Sequence, residues 1–122
     1  MGDKTKMLII DDDQAFALIL VNHFSDNYKV KVAHDGAEAL ALVESFQPEI
    51  ILLDYFLPHT TGDKLFEHIH QEHPDIHVIV LSANESSKTV VDLVKLGVRD
   101  YVVKDDDAIA EVERILEEGF DD

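Results

Sequence analysis

The chain contains no cysteine, so neither a disulfide framework nor thiol chemistry is open to it. No stretch approaches the roughly 18 consecutive apolar residues that a membrane span requires. The opening MGDKTK lacks the apolar core of a secretory signal. Cations are scarce: 10 Lys and Arg stand against 26 Asp and Glu, a formal net charge of −16. Such a surface repels phosphate backbones and anionic lipid, which argues against direct binding of nucleic acid or membrane. Repeats, low-complexity tracts and Pro/Gly/Ser-rich linkers are also missing. Together these absences point to a cytoplasmic protein, and the 122 residues suit one domain over positions 1–122.

What is present is an alternation of short apolar runs with amphipathic stretches, the pattern of parallel βαβ units. Met7–Ile10, Ile50–Leu53, Val78–Leu81 and Tyr101–Val103 predict strands, and the unbroken apolar runs among them fit strands covered on both faces. Tyr28–Ala33 instead alternates, with Val30 and Val32 set apart from Lys29 and Lys31, as at a sheet edge. Between the strands the period becomes helical. Phe16, Ile19, Leu20 and Phe24 predict one stripe, and Leu40, Val43 and Phe46 a second. Leu65, Phe66 and Ile69 predict a third, with Val90, Leu93 and Val94 as a fourth. Ile109, Val112, Ile115 and Leu116 form the last, with Gly119 placed to end that helix. The expected fold is α/β, a flavodoxin-like doubly wound parallel sheet of five strands in the order 2-1-3-4-5, with five helices. Ligands of such sheets bind beyond the carboxyl ends of the strands.

Polar residues gather at those ends. The first strand runs into Asp11, Asp12 and Asp13, the third into Asp54, the fourth into Ser82 and the fifth into Lys104. Singly, each has an ordinary explanation: Asp13 as the N-cap of the first helix, Asp54 as a solvated strand end. As a set they are harder to dismiss. Crowded carboxylates repel one another unless a cation neutralises them. Oxygen ligands of this hardness suit Mg2+ or Mn2+. Beside such an ion a carboxylate can act as nucleophile towards a phosphoryl group, with Lys104 and the Ser82 hydroxyl holding its other oxygens.

The stretches LIIDDD, LLDYFLPHTTG, VIVLSA and YVVKD resemble, in order and spacing, the signature segments of response-regulator receiver domains, and the likeness spans essentially the whole chain. That resemblance implies Asp54 as the phosphoryl acceptor. It implies a metal site of Asp11 (mainly through water), Asp12, Asp54 and the backbone carbonyl of Phe56. Ser82 matches the switch hydroxyl, Lys104 the phosphate-contacting lysine, and Tyr101 the aromatic switch, although Tyr101 also reads as a plain sheet aromatic. Pro58 and Gly62 match the turn after the acceptor. The implied partners are a sensor histidine kinase or a histidine phosphotransfer protein, and downstream a protein target or output domain. By the same likeness Phe56 and Asn84 flank the path of water attacking the phosphoaspartate. The implied domain is a signalling module, not an enzyme, which catalyses its own aspartyl phosphorylation and dephosphorylation.

Many receivers have a proline after the lysine; here Asp105 follows Lys104. A non-proline cis bond costs roughly 3–4 kcal/mol, so a trans bond is expected, with Asp105–Asp107 capping the last helix. A haloacid-dehalogenase-type phosphatase can be forced onto Asp11, Asp13, Ser82, Lys104 and Asp105–Asp106, but it leaves Asp54 and DYFLP without a role. A flavodoxin-type cofactor protein shares the architecture, yet the acidic first loop repels a flavin phosphate. A receiver-like module that no longer takes phosphate is a further alternative. His68, His70, His73 and His77 are close in sequence but read as a solvated surface, not as a metal cluster.

Overall fold

A computed structural model of the chain describes residues 4–83 and 86–119. The elements follow in the order β1 (Thr5–Ile10), α1 (Gln14–Phe24), β2 (Tyr28–Ala33), α2 (Gly36–Phe46), β3 (Ile50–Asp54), β4 (Phe56–Leu57), β5 (Thr60–Thr61), α3 (Gly62–Glu72), β6 (His77–Ser82), α4 (Ser87–Leu96), β7 (Asp100–Val103) and α5 (Ala108–Gly119). The main sheet is parallel, in the order β2-β1-β3-β6-β7. This is the expected 2-1-3-4-5 arrangement. The numbering differs because a small antiparallel hairpin, β4–β5, intervenes between the third and fourth strands of the sheet.

Side chains alternate across a strand, so each central strand feeds two cores. Met7, Ile9, Ile50, Leu52, Ile79 and Leu81 face α1 and α5. Leu8, Ile10, Ile51, Leu53, Val78 and Val80 face α2, α3 and α4. Both faces are covered, which is why the central runs read as continuously apolar. On the edge strand β2, Lys29 and Lys31 are exposed, as the alternation predicts.

Two helical stripes differ from expectation. On α1 the buried residues are Ala17, Leu20 and Phe24, while Ile19 is 52% exposed. The helix is apolar nearly all round, so periodicity alone does not select a face, and the small Ala17 provides the close approach. On α4 only Leu93 is buried and Val94 is 61% exposed. The stripes of α3 and α5 match expectation more closely: Leu65, Phe66 and Ile69 are buried, as are Val112, Ile115 and Leu116.

Candidate functional site

Three parallel ladders deliver the rim. Asp11 N–H donates to Ala33 O at 3.0 Å, Tyr55 N–H to Leu81 O at 2.9 Å, and Lys104 N–H to Ser82 O at 3.0 Å. Each bond continues the sheet one step past a strand's apolar run, so the polar residues there inherit the strand's alignment. Among the described residues, the buried polar or charged side chains are Asp11, Asp54 and Ser82, at 2%, 6% and 0% exposure. All three lie on this rim. Burying polar groups away from water is costly, so their concentration at one place marks a site rather than a solvated strand end.

Asp11, Asp12 and Asp54 each bring a carboxylate oxygen within 4.8 Å of the others. Lys104 crosses from β7, its Nζ 2.9 Å from Asp11 Oδ2 and 3.2 Å from Asp54 Oδ1. Its reach is therefore intact despite the Asp105 that follows it. No cis peptide bond occurs among the described residues, so Lys104–Asp105 is trans as expected. Asp105 Oδ1 accepts from Asp107 N–H at 2.9 Å, closing the turn that leads into α5.

Burial, then the charge of Asp11, pushes the Asp54 carboxyl up to about 6, against the lowering influence of Lys104. For Lys104, burial works against the ammonium, but its hydrogen bonds and charge contacts with Asp11 and Asp54 prevail and leave its pKa raised. The rim thus holds three carboxylates against one ammonium, with Asp12 open to solvent. A hard divalent cation fits that donor set, since oxygen ligands and excess negative charge are what it selects.

Asp13 turns away from this cluster. Its side chain accepts from Phe16 N–H at 3.1 Å and caps α1, while its own N–H donates to Asp11 Oδ1 at 2.9 Å. The dehalogenase arrangement, which needs Asp13 as a reacting group, gains no support from this geometry.

A family model for the response regulator receiver domain matches residues 7–116. The chain belongs to the response regulator receiver family. The receiver is 35% identical over 100 residues to the Regulator of RpoS of Escherichia coli (strain K12), covering 81% of this chain and 30% of that protein. It is 30% identical over 122 residues to the transcriptional regulatory protein DegU of Brevibacillus brevis, covering 96% of this chain and 52% of the relative. The chain therefore spans only a third to a half of the length of these relatives. Among solved structures, the receiver domain of the Francisella response regulator 1452 superposes with a TM-score of 0.83 at 29% identity, covering 93% of this chain and 95% of that one.

In this receiver, Phe56 opens the β4–β5 hairpin two residues past Asp54, a residue 50% exposed with its ring set edge-on to Tyr55 at 4.8 Å. Pro58 and His59 form the two-residue turn, His59 at φ 67°. Proline followed by a positive φ has the form of a type II turn. Gly62 is required by close approach: a Cβ there would lie 2.8 Å from Tyr55 Cα and 3.1 Å from Asp54 O. Tyr101 pairs with Val80 on the sheet and packs partly buried against the core under α2, α3 and α4. Asn84 lies outside the described residues. The sequence reading missed Phe16, whose ring centroid lies 4.6 Å below Lys104 Nζ. Its position three residues after the capping Asp13 was the available signal, because that spacing returns a first-turn side chain to the rim.

No helix among the described residues is long and apolar enough to cross a membrane.

Proposed function

We propose that this receiver accepts a phosphoryl group on Asp54 from a phosphohistidine of a sensor kinase or phosphotransfer protein, acting in the cytoplasm as one domain over residues 1–122. The observation that carries this reading is the buried Asp54 carboxylate, gathered with Asp11 and Asp12 and in ion-pair contact with Lys104.

Asp11, Asp12, Asp54 and the Phe56 carbonyl would hold Mg2+ (or Mn2+). When bound, the ion offsets charge on the phosphoryl oxygens and favours the ionised, nucleophilic form of Asp54. An Asp54 oxygen attacks phosphorus as the P–N bond to the donor imidazole breaks, and the imidazole leaves with its electron pair. Lys104 exchanges its contact with Asp54 for a phosphoryl oxygen, and Phe16 supports the ammonium through that movement. Ser82 donates its hydroxyl to another phosphoryl oxygen, and Tyr101 follows inward. The surface of α4, β7 and α5 then changes its preference for a protein target or output domain. The chain itself catalyses this aspartyl phosphorylation and the later hydrolysis of the phosphoaspartate, which returns Asp54 to its free carboxylate.

The test is uptake of phosphate from acetyl phosphate or phosphoramidate with Mg2+ present. Wild type is expected to form an acid-stable, hydroxylamine-labile acyl phosphate, and Asp54→Ala to form none. Uptake by Asp54→Ala at the wild-type rate would overturn the assignment. Binding of beryllofluoride with Mg2+ separates an active receiver from a module that has lost phosphate chemistry, which should bind none.

A further inference from the structure

The ammonium of Lys104 meets Asp11 Oδ2 at 2.9 Å and Asp54 Oδ1 at 3.2 Å, and it faces the ring of Phe16, whose centroid lies 4.6 Å from Nζ. The lysine side chain is only 17% exposed. An ammonium is attracted by the negative face of an aromatic ring, and more strongly where water is excluded. Lys6 and Lys31 also lie over a ring, that of Phe46, but further off at 5.8 and 5.1 Å, and Lys31 is exposed.

The ring is itself held in place. Phe16 N–H donates to Asp13 Oδ1 at 3.1 Å, and Asp13 N–H donates to Asp11 Oδ1 at 2.9 Å. Asp11 thus binds Asp13 through one carboxylate oxygen and Lys104 through the other. The contacts close a circuit, Asp11 to Asp13 to Phe16 to Lys104 and back to Asp11. Phe16 also packs, partly buried, against the core under α1 and α5. Core packing explains an apolar residue at this position, but any apolar side chain of similar size would satisfy it.

The chemistry of the rim gives an aromatic ring a task of its own. On the proposed function, Asp11 and Asp54 both hold the metal, and Asp54 also takes the phosphoryl group. Both anionic partners of Lys104 are therefore claimed by the reaction. A phenyl ring offers no oxygen to Mg2+ and no hydrogen bond to a phosphoryl oxygen. It attracts the ammonium without competing for what the ammonium must bind next.

We propose, resting on that reading, that Phe16 is the positioning residue of Lys104. Its ring face keeps the ammonium at the rim while the anionic partners change, and it acts through its charge distribution and not its bulk.

The test joins acetyl phosphate uptake at saturating Mg2+ to proton NMR of Lys104 in the metal-free chain. In wild type the ring current is expected to shift the Lys104 ε-protons upfield, and Phe16→Leu to return them to the ordinary lysine position. Phe16→Leu should slow uptake roughly three- to tenfold, and Phe16→Tyr, which keeps the ring face, should recover most of it. Progressively fluorinated phenylalanines, placed at this position alone, keep the ring's shape while draining charge from its face. Uptake should fall step by step along that series. Equal rates across it would overturn the proposal even if Phe16→Leu folds poorly. So would a wild-type rate in Phe16→Leu, or ε-protons that do not respond to loss of the ring. If wild type takes up no phosphate, the proposed function fails, and the ε-proton shifts along the same series decide whether the ring holds the ammonium.

Discussion

The ammonium of Lys104 lies 3.2 Å from Oδ1 of Asp54, tying the end of β7 to the end of β3 across the intervening strand β6. On the proposed function, this contact is the one that a phosphoryl oxygen would replace. The lysine is thus already placed beside the proposed acceptor, and phosphorylation there would exchange one anionic partner for another.

Lys104→Met removes that charge while keeping most of the apolar stem over Phe16. In the metal-free protein the Asp54 carboxyl is expected to titrate above its wild-type value of about 6, because burial and Asp11 then act unopposed. Phosphate uptake should slow on the order of 10²-fold, the scale for losing one charge-stabilising donor. Carboxyl 13C titration and acetyl phosphate kinetics check the two parts. An unchanged Asp54 midpoint would contradict the electrostatic role given to Lys104.

The raised Asp54 pKa also has a consequence for stability. Between the ordinary value of 3.8 and about 6, the folded chain keeps a proton that the unfolded chain has released. Stability therefore falls as pH rises through that window, and the cost is complete above it. Without divalent metal, Asp54→Asn should be more stable than wild type near neutral pH, by roughly 1–3 kcal/mol. The gain should fade as pH falls towards 4. Urea unfolding in EDTA across this range measures it, and a difference independent of pH would exclude this origin.

Gly62→Ala places a methyl group 2.8 Å from Tyr55 Cα and 3.1 Å from Asp54 O. Both neighbours are backbone, which cannot rotate aside. A destabilisation of roughly 1–3 kcal/mol is expected, with slower phosphorylation, because the strain falls on the segment that carries the proposed acceptor, Asp54. Wild-type stability in denaturant would show that the loop yields at no cost.

Phe56 stands half-exposed two residues from Asp54 and has no hydrogen-bonding group with which to orient a water. The phosphoaspartate is accordingly expected to be long-lived, and Phe56→Asn to shorten its half-life by supplying a polar group in place of a blocking ring. Loss of label from the phosphorylated protein after donor removal measures this. A half-life unmoved by the substitution would place the control of hydrolysis elsewhere.

The sheet was legible because its cause is local. A strand covered on both faces needs an unbroken apolar run, and Met7–Ile10, Ile50–Leu53 and Val78–Leu81 have one; an edge strand can alternate, and Tyr28–Ala33 does. The candidate rim was legible for the same reason: Asp11, Asp54, Ser82 and Lys104 each follow such a run, and parallel pairing brings the ends together. Less visible was which side of an almost wholly apolar helix is buried. Ile19 and Val94 satisfy a helical period as well as their buried neighbours, and only the shape of the opposing layer excludes them.

The order of strands and the residue types at their carboxyl ends were thus determined by the sequence itself, since strand period and polarity are properties of a few consecutive residues. Tertiary structure alone decided that Asp13 caps a helix instead of joining the acids, that Lys104 reaches Asp54 over the ring of Phe16, and that Glu44 meets His73 across two helices. Those are distances between side chains far apart in the chain or turned by one torsion. They are set by how the layers pack, which no local pattern encodes.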